Sequence, residues 1–245
     1  MKTVIELKKG IDMKKVSEVA VLVQARLSSE RCPRKMVRPF AGTTLTDITC
    51  EKILASKVIP KENFYLAVNE PELVSIGEKH GVNVFKRSEF SAKWDGGAGT
   101  HIREMYEWWD KIPFKYVVLV NACVPFMSTE TIDGFFEHYL QTDSDGMFAV
   151  MEKKNYFWDT NGDFITPWPK DEPTLNTKAV GVTWEAAHCL YASRLSSIDD
   201  GIWMGDFQKK GDIELYPVEE MDCFDVDYEW EFKAYEAMYK ALSDD

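Results

Sequence analysis

No apolar run in this 245-residue chain approaches the roughly 20 residues that a membrane-crossing helix requires, so a transmembrane segment is excluded. Residues 1–15, MKTVIELKKGIDMKK, lack both a continuous apolar stretch and a small-residue cleavage site, so no secretory signal is expected. Cysteine is sparse. Cys32, Cys50, Cys123, Cys189 and Cys223 are scattered, odd in number and never spaced as CxxC. That argues against a disulfide framework or a zinc cluster and points to a reducing, cytoplasmic setting. The histidines at 80, 101, 138 and 188 show no ligand spacing and read as structural; His101, beside a Gly-rich turn, is the one best placed to touch a ligand. Positive charge is scarce as well. Lys and Arg number 29 against 41 Asp and Glu, a net charge of −12. A broad phosphate-backbone footprint, and with it a nucleic-acid partner, is thereby disfavoured. A small cationic pocket for one triphosphate is not. Repeats, low-complexity tracts and linkers are also missing, so residues 1–245 read as a single domain.

What is present alternates between two periods. Residues 19–25, VAVLVQA, form a nearly continuous apolar run that suits a strand buried on both faces. Leu45, Ile48, Ile53, Leu54 and Val58 mark a helix face, 64–68 a second strand, and Pro71 and Gly81 the ends of another helix. Residues 82–85 predict a third strand. Ile102, Met105, Tyr106 and Trp109 make a helical stripe, and 116–120, YVVLV, is the strongest strand of the chain. A helix capped by Ser128 and faced by Ile132, Phe135, Phe136, Tyr139 and Leu140 precedes a fifth strand at 147–151. The pattern then breaks. Residues 152–190, rich in Pro and aromatics, predict an irregular excursion over the sheet, serving as a lid, substrate loop or dimer arm. Its aromatics Tyr156, Phe157, Trp158 and Trp168 read mainly as packing for that loop. IELYPV at 213–218 returns as a strand, and a final helix over about 228–242 buries Phe232, Tyr235, Tyr239 and Leu242. Alternating strands and helices imply right-handed crossovers and a mostly parallel sheet between helical layers, a three-layer α/β/α fold. Ligands of such sheets bind beyond the carboxyl ends of the strands.

Two segments there carry chemistry. The loop from Gln24 to Lys35 holds Arg26, Arg31, Arg34 and Lys35, four cations within ten residues, mixed with Ser28 and Ser29. Such a loop can present cations and backbone N–H groups to a polyphosphate, or can be a solvated basic turn. It is not a Walker loop. In the second segment, Asp225 and Asp227 sit two apart, so an extended backbone points both carboxylates to one face. Two oxygen ligands completed by phosphate oxygens are how Mg²⁺ is commonly held; the plainer reading makes Asp227 a helix cap. The loop at Asn121–Phe126 offers few titratable groups, and Cys123 reads as a small buried residue rather than a nucleophile.

The stretch VLVQARLSSERCPRKMVRPFAG resembles the opening signature of the cytidylyltransferases that activate acidic sugars, the acylneuraminate and 3-deoxy-manno-octulosonate enzymes and their spore-coat polysaccharide relatives. The resemblance lies in Ala25-Arg26, Arg31, Pro33 and Lys35, then Arg38-Pro39 and Ala41-Gly42. It continues through FYLAVNEPELVSIGEKHGVNVFKRSEF and YVVLVNACVPFMSTETIDGF, and closes with FDVDYEWEF. Leu27-Ser28-Ser29-Glu30 stands where sialic-acid enzymes have Gly-Gly-Ser-Lys, Met36 replaces an Asn, and the Asp that octulosonate enzymes carry after the central strand is absent.

The resemblance implies a GT-A-like α/β nucleotidyltransferase that moves CMP from CTP to a hydroxyl of an acidic, 2-keto nonulosonate-type sugar and releases pyrophosphate, for surface-glycan biosynthesis. By position it gives Arg26 and Lys35 catalytic roles on the CTP phosphates, joined by Arg31. Ala25 would border the nucleotide, Asn121 would lie near sugar and nucleotide, and Arg87 would sit in the turn after the third strand. Asp225 and Asp227 would hold Mg²⁺. A homodimer is implied too, with 155–175 as the contact. Two alternatives stay open: a GT-A glycosyltransferase, although its metal motif belongs mid-chain rather than about 20 residues from the end, and a non-catalytic nucleotide-binding relative.

Overall fold

The structure is a computed structural model that describes residues 13–93 and 100–243; the extreme N-terminus and the Gly-rich turn before His101 lie outside the described residues. Seven strands form one sheet: β1 (Val19–Gln24), β2 (Phe64–Val68), β3 (Asn83–Lys86), β4 (Tyr116–Val120), β5 (Gly146–Lys153), β6 (Thr183–Arg194) and β7 (Ile213–Val218). Their order is β3-β2-β1-β4-β6-β5-β7. All pairings are parallel except those of β6, which runs antiparallel to β4 and β5. β1 is central and its first five residues are wholly buried, as an uninterrupted apolar run demands.

Helices α1 (Leu45–Leu54), α2 (Pro71–His80), α5 (Thr129–Gln141) and α6 (Glu229–Ser243) carry the larger core. In it Val19, Val21 and Val23 of β1 meet Leu45, Ile53, Leu73, Phe135, Phe136, Tyr139 and Phe232. Alternate residues Ala20 and Leu22 face the opposite side, against Tyr106, Trp108, Ile112 and Leu195. The end signals of α2 act as expected. Pro71 opens it, and Gly81 closes it at φ 60°, a left-handed conformation that costs glycine nothing. Ser128 caps α5 by accepting from the Thr131 N–H at 3.0 Å.

Three expectations need correction. The irregular segment ends before 183, because the twelve-residue strand β6 runs from Thr183 to Arg194 in the middle of the sheet. Its first half is largely exposed, so it lacks the buried apolar run that marks the parallel strands. The helix expected from Ile102 through Trp109 stops after one turn, α4 (Ile102–Met105). Tyr106 leaves helical geometry at ψ 45°, which turns Trp108, not Trp109, into the core, where its indole N–H donates to Gln24 Oε1 at 2.8 Å. Leu242 is exposed on the last turn of α6, past the end of the core it was expected to join. The remainder of the excursion holds itself together with rings: Tyr156 and Phe164 stack at 5.8 Å, and Trp158 meets Phe164 at 5.0 Å.

One half-buried cation ties this scaffold to the turn after β4. Lys52 of α1 donates to the Pro125 carbonyl at 2.5 Å, and burial lowers its ammonium to about 8. In the unfolded chain a lysine stays protonated to its ordinary value of 10.5, so between about 8 and 10.5 the unfolded state binds more protons. Stability from this group therefore rises with pH across that window. Urea midpoints should show wild type gaining on Lys52→Met as pH goes from 7.5 to about 10; a gap that stays constant would contradict the assignment.

Candidate active site

The carboxyl ends of β1 and β4 open into a cleft of about 580 Å³ lined by Gln24, Ala25, Arg26, Ser28, Ser29, Arg31, Lys35, Ala122, Cys123 and Asp227, with Glu30, Met36 and Lys93. Backbone and side-chain ties hold the loop that forms its wall. The Ala25 N–H reaches Ala67 O at 3.3 Å, the Leu27 N–H reaches Glu70 Oε1 at 2.8 Å, and Thr46 holds the Met36 carbonyl at 2.8 Å. Arg38 forks onto Glu229 of α6 at 2.7 and 2.8 Å while its guanidinium lies 4.2 Å from the centre of the Phe232 ring. The Arg38 pairing holds the Glu229 carboxylate well below its ordinary value, at about 2. Thus the basic loop is fixed to α2 on one side and α6 on the other, a geometry that a merely solvated turn would not need.

Asp225 and Asp227 lie on the segment entering α6. The Val226 N–H donates to Cys123 O at 2.9 Å, and the Val226 side chain is wholly buried, so the flanking carboxylates share the opposite side, as their spacing predicts. Asp227 accepts from Lys35 Nζ at 3.3 Å and pairs with Arg31 at 2.8 Å. Lys35 is only 8% exposed and also donates to Val226 O. Burial alone would lower its ammonium, but the Cys123 sulfur and the two carboxylates outweigh that and hold it above the ordinary lysine value. Asp227 is not the helix cap: Glu231 Oε2 takes the Asp227 and Tyr228 N–H groups at 2.7 and 2.8 Å instead.

Asp225 accepts from Asn121 Nδ2 at 3.2 Å through one oxygen. Its other oxygen, Oδ1, is buried with no hydrogen-bond partner. Burial raises this carboxyl above its ordinary value, with Lys35 opposing and Asp227 adding to the shift. A buried anionic oxygen without a donor is costly unless a cation completes it. Among the described residues no cluster of three or more His, Cys, Asp or Glu is gathered for a metal. Two carboxylates with room for phosphate and water oxygens are nevertheless what a hard divalent cation such as Mg²⁺ takes. The donor set therefore fits the ion.

Not every expected residue lines the cleft. Arg87 is 3% exposed, donates from Nε to Ser91 Oγ at 3.0 Å and to the Ser91 carbonyl, and is pulled down to about 10 chiefly by burial. It braces the turn after β3 behind Arg26. Asn121 stands behind Asp225 rather than in the wall. Cys123 lines the cleft, but burial pushes its thiol up to about 11, which keeps it protonated near neutrality. Gln24, where the basic loop leaves β1, lines the cleft as well, and Lys93, on the one-turn helix α3 (Glu89–Lys93), is a cleft residue that sequence patterning missed.

This is the α/β fold of a nucleotidyltransferase. The sequence model of the cytidylyltransferase family matches residues 20–195, and the chain belongs to that family. The 3-deoxy-manno-octulosonate cytidylyltransferase of Rickettsia bellii (strain OSU 85-389) is 29% identical over 122 residues, 48% of this chain and 46% of that protein. The spore coat polysaccharide biosynthesis protein SpsF of Bacillus subtilis (strain 168) is 31% identical over 80 residues, 30% of this chain and 33% of that protein. The chain thus spans about half the length of the first relative and a third of the second. Among solved structures, a CMP:2-keto-3-deoxy-manno-octonic acid synthetase complexed with CTP superposes with a TM-score of 0.64 at 11% identity, over 92% of this chain and 99% of that one. The 4-diphosphocytidyl-2C-methyl-D-erythritol synthase of Anaerococcus prevotii DSM 20548 gives 0.62 at 15%, over 94% and 98%. At such identities these likenesses establish the fold.

Proposed function

We propose that the protein transfers CMP from CTP to a hydroxyl of an acidic 2-keto sugar and releases pyrophosphate, supplying an activated sugar for a surface glycan. The observation that carries the reading is the convergence of Lys35 and Arg31 on Asp227 beside the unpartnered buried oxygen of Asp225. Positive loop and negative pair meet at the end of β1, where a triphosphate and its cation would neutralise one another. Arg26, Arg31 and Lys35 would take the phosphates, with Ala25 beside the nucleotide. Asp225 and Asp227 would hold Mg²⁺, which supplies charge neutralisation at the phosphate oxygens when bound.

The reaction needs no covalent nucleophile. The acceptor oxygen bonds to the α-phosphorus, the bond to the β-phosphate bridging oxygen breaks, pyrophosphate leaves and the hydroxyl proton passes to solvent. Positioning and charge neutralisation carry such a step. The name of the Rickettsia relative favours an acidic sugar, and an octulosonate or nonulosonate falls within that class; the name of the Bacillus relative favours a polysaccharide as the destination. Placement of the acidic pair next to α6 favours this over a glycosyltransferase.

Calorimetry with CTP, UTP, ATP and GTP tests the nucleotide half. CTP is expected to bind most tightly and to lose at least tenfold in affinity when Mg²⁺ is removed. Equal binding of all four would defeat the assignment to CTP. We also propose a homodimer through the exposed aromatic excursion, where Trp158, Ile165 and Trp168 are 52, 63 and 48% exposed. Light scattering at micromolar concentration should give twice the chain mass; a monomer would contradict this.

A further inference from the structure

We propose that Cys189 and Cys223 are a modification site, which a hydroperoxide closes into a reversible disulfide that draws Asp225 out of position. Formation of the bond is independent of the reading above; its effect on the acidic pair rests on that reading. The two cysteines are 34 residues apart in sequence, and their sulfurs lie 3.9 Å from each other. Among the described residues no other two thiols meet. Neither cysteine lines the cleft.

The partners differ in how firmly they are held. Cys189 is wholly buried on β6, which is hydrogen-bonded to β4 on one side and to β5 on the other. Cys223 ends a single turn of 3₁₀ helix, Glu220–Cys223, in which Glu220 and Met221 are exposed and Cys223 itself is 7% exposed. Its sulfur also reaches the Glu219 carbonyl at 3.4 Å. One surface turn is all that a small peroxide has to pass, and so short an element opens locally at low cost.

The oxidation balances within the pair. The Cys223 sulfur attacks one oxygen of hydrogen peroxide, the O–O bond breaks, and the other oxygen leaves as water with the thiol proton. The Cys189 sulfur then attacks the sulfenic sulfur. The S–S bond forms, the S–O bond breaks, and a second water leaves with the Cys189 proton. Two electrons pass from the sulfurs to the peroxide, and a dithiol such as dithiothreitol returns them.

Disulfide sulfurs stand about 2.05 Å apart, so closure from 3.9 Å draws these two together by roughly 2 Å. Because β6 is fixed on both sides, the 3₁₀ turn has to move. Its flanks are tied. Asp222 accepts from the Ser128 N–H at 3.0 Å and from the Thr131 hydroxyl, and the Val226 N–H donates to Cys123 O at 2.9 Å. The displacement therefore falls on residues 223–225. There Asp225 accepts from Asn121 Nδ2 at 3.2 Å, while the Asn121 backbone N–H donates to Cys189 O at 2.9 Å. One asparagine thus already bridges the cysteine strand to the acidic pair. A site that works by position tolerates errors of about 0.5 Å, well below this shift.

The test treats the full-length protein with hydrogen peroxide and maps its peptides without reduction. A Cys189–Cys223 link is expected, with the mass lowered by two hydrogen atoms and restored by dithiothreitol. Electron paramagnetic resonance with Mn²⁺ in place of Mg²⁺, in the presence of CTP, should show metal affinity reduced at least tenfold in the linked protein. Pyrophosphate release should fall by at least as much, and both should recover on reduction. Cys189→Ala and Cys223→Ala should keep turnover within twofold of wild type and resist peroxide. Absence of the link while other thiols oxidise, a link that leaves Mn²⁺ affinity unchanged, or variants that inactivate in step with wild type would each overturn the proposal. Reduced wild-type protein that binds neither CTP nor Mn²⁺ would instead sink the nucleotide reading, with the link still decided by mass.

Discussion

Asp227→Asn should lower pyrophosphate release by about 10³-fold while the protein stays folded. The size follows from what the carboxylate does at one point. It would supply one of two protein oxygens to the cation, and it already orients Lys35 at 3.3 Å and Arg31 at 2.8 Å. Removing one preorganised electrostatic group from a site that works by charge neutralisation costs about 10²–10³ in rate, and misplacing two cations adds to that. The amide keeps the shape and can still accept from Lys35. The helix end is held by Glu231 rather than by Asp227, so α6 should not fray. A fall in thermal midpoint of only about 2–4 °C is therefore expected, as for a loss near 1 kcal/mol in a chain of this size. Wild-type turnover in Asp227→Asn would remove the carboxylate from the site, and a collapse of the fold would make its role structural.

Lys35→Met is the second large effect. Lys35 is the buried cation of the loop, held between Val226 O and Asp227. The Cys123 sulfur and the carboxylates of Asp225 and Asp227 keep it protonated against burial, so its charge is available to phosphate oxygens at neutral pH. Truncating one partner of a buried, hydrogen-bonded charge pair typically costs about 2–5 kcal/mol, which converts to a loss of CTP affinity of at least about 30-fold. Stability should fall as well, because the Val226 carbonyl loses its donor and Asp225 and Asp227 lose the cation between them. Unchanged CTP affinity in a folded Lys35→Met protein would take Lys35 out of the binding site.

Much of this architecture was legible in the chain because its signals are local. The VAVLV and YVVLV runs are buried on both faces and declare themselves as central strands, and Pro71, Gly81 and Ser128 mark helix ends through backbone chemistry of their own. The cationic loop and the acidic pair were legible for a similar reason: each is a departure in charge or spacing from its surroundings. β6 was not, since half of it is exposed and it begins inside a stretch dominated by proline and exposed aromatics. Its pairing with β4 and β5 is decided by tertiary contact, which no period of two could announce. Trp108 illustrates a subtler limit. The stripe through Trp109 assumed an unbroken helix, and a single residue, Tyr106, leaving helical geometry exchanged one tryptophan for the other.

Arg87 separates position in a motif from position in a site. Its place after β3 follows the family pattern, yet its guanidinium is spent on Ser91, so its contribution to the cleft passes through the turn it braces. The Arg38–Glu229 fork has the converse history: nothing in the spacing of two residues 191 apart announces that they lock the basic loop against α6.

The account is tested most directly by pyrophosphate release with Mg²⁺, crossing CTP, UTP, ATP and GTP against 3-deoxy-manno-octulosonate and a panel of nonulosonic acids. It predicts release with CTP and a sugar acid together, none with either alone, and loss on adding EDTA. Release with another nucleotide in preference to CTP, or release that EDTA leaves untouched, would contradict it.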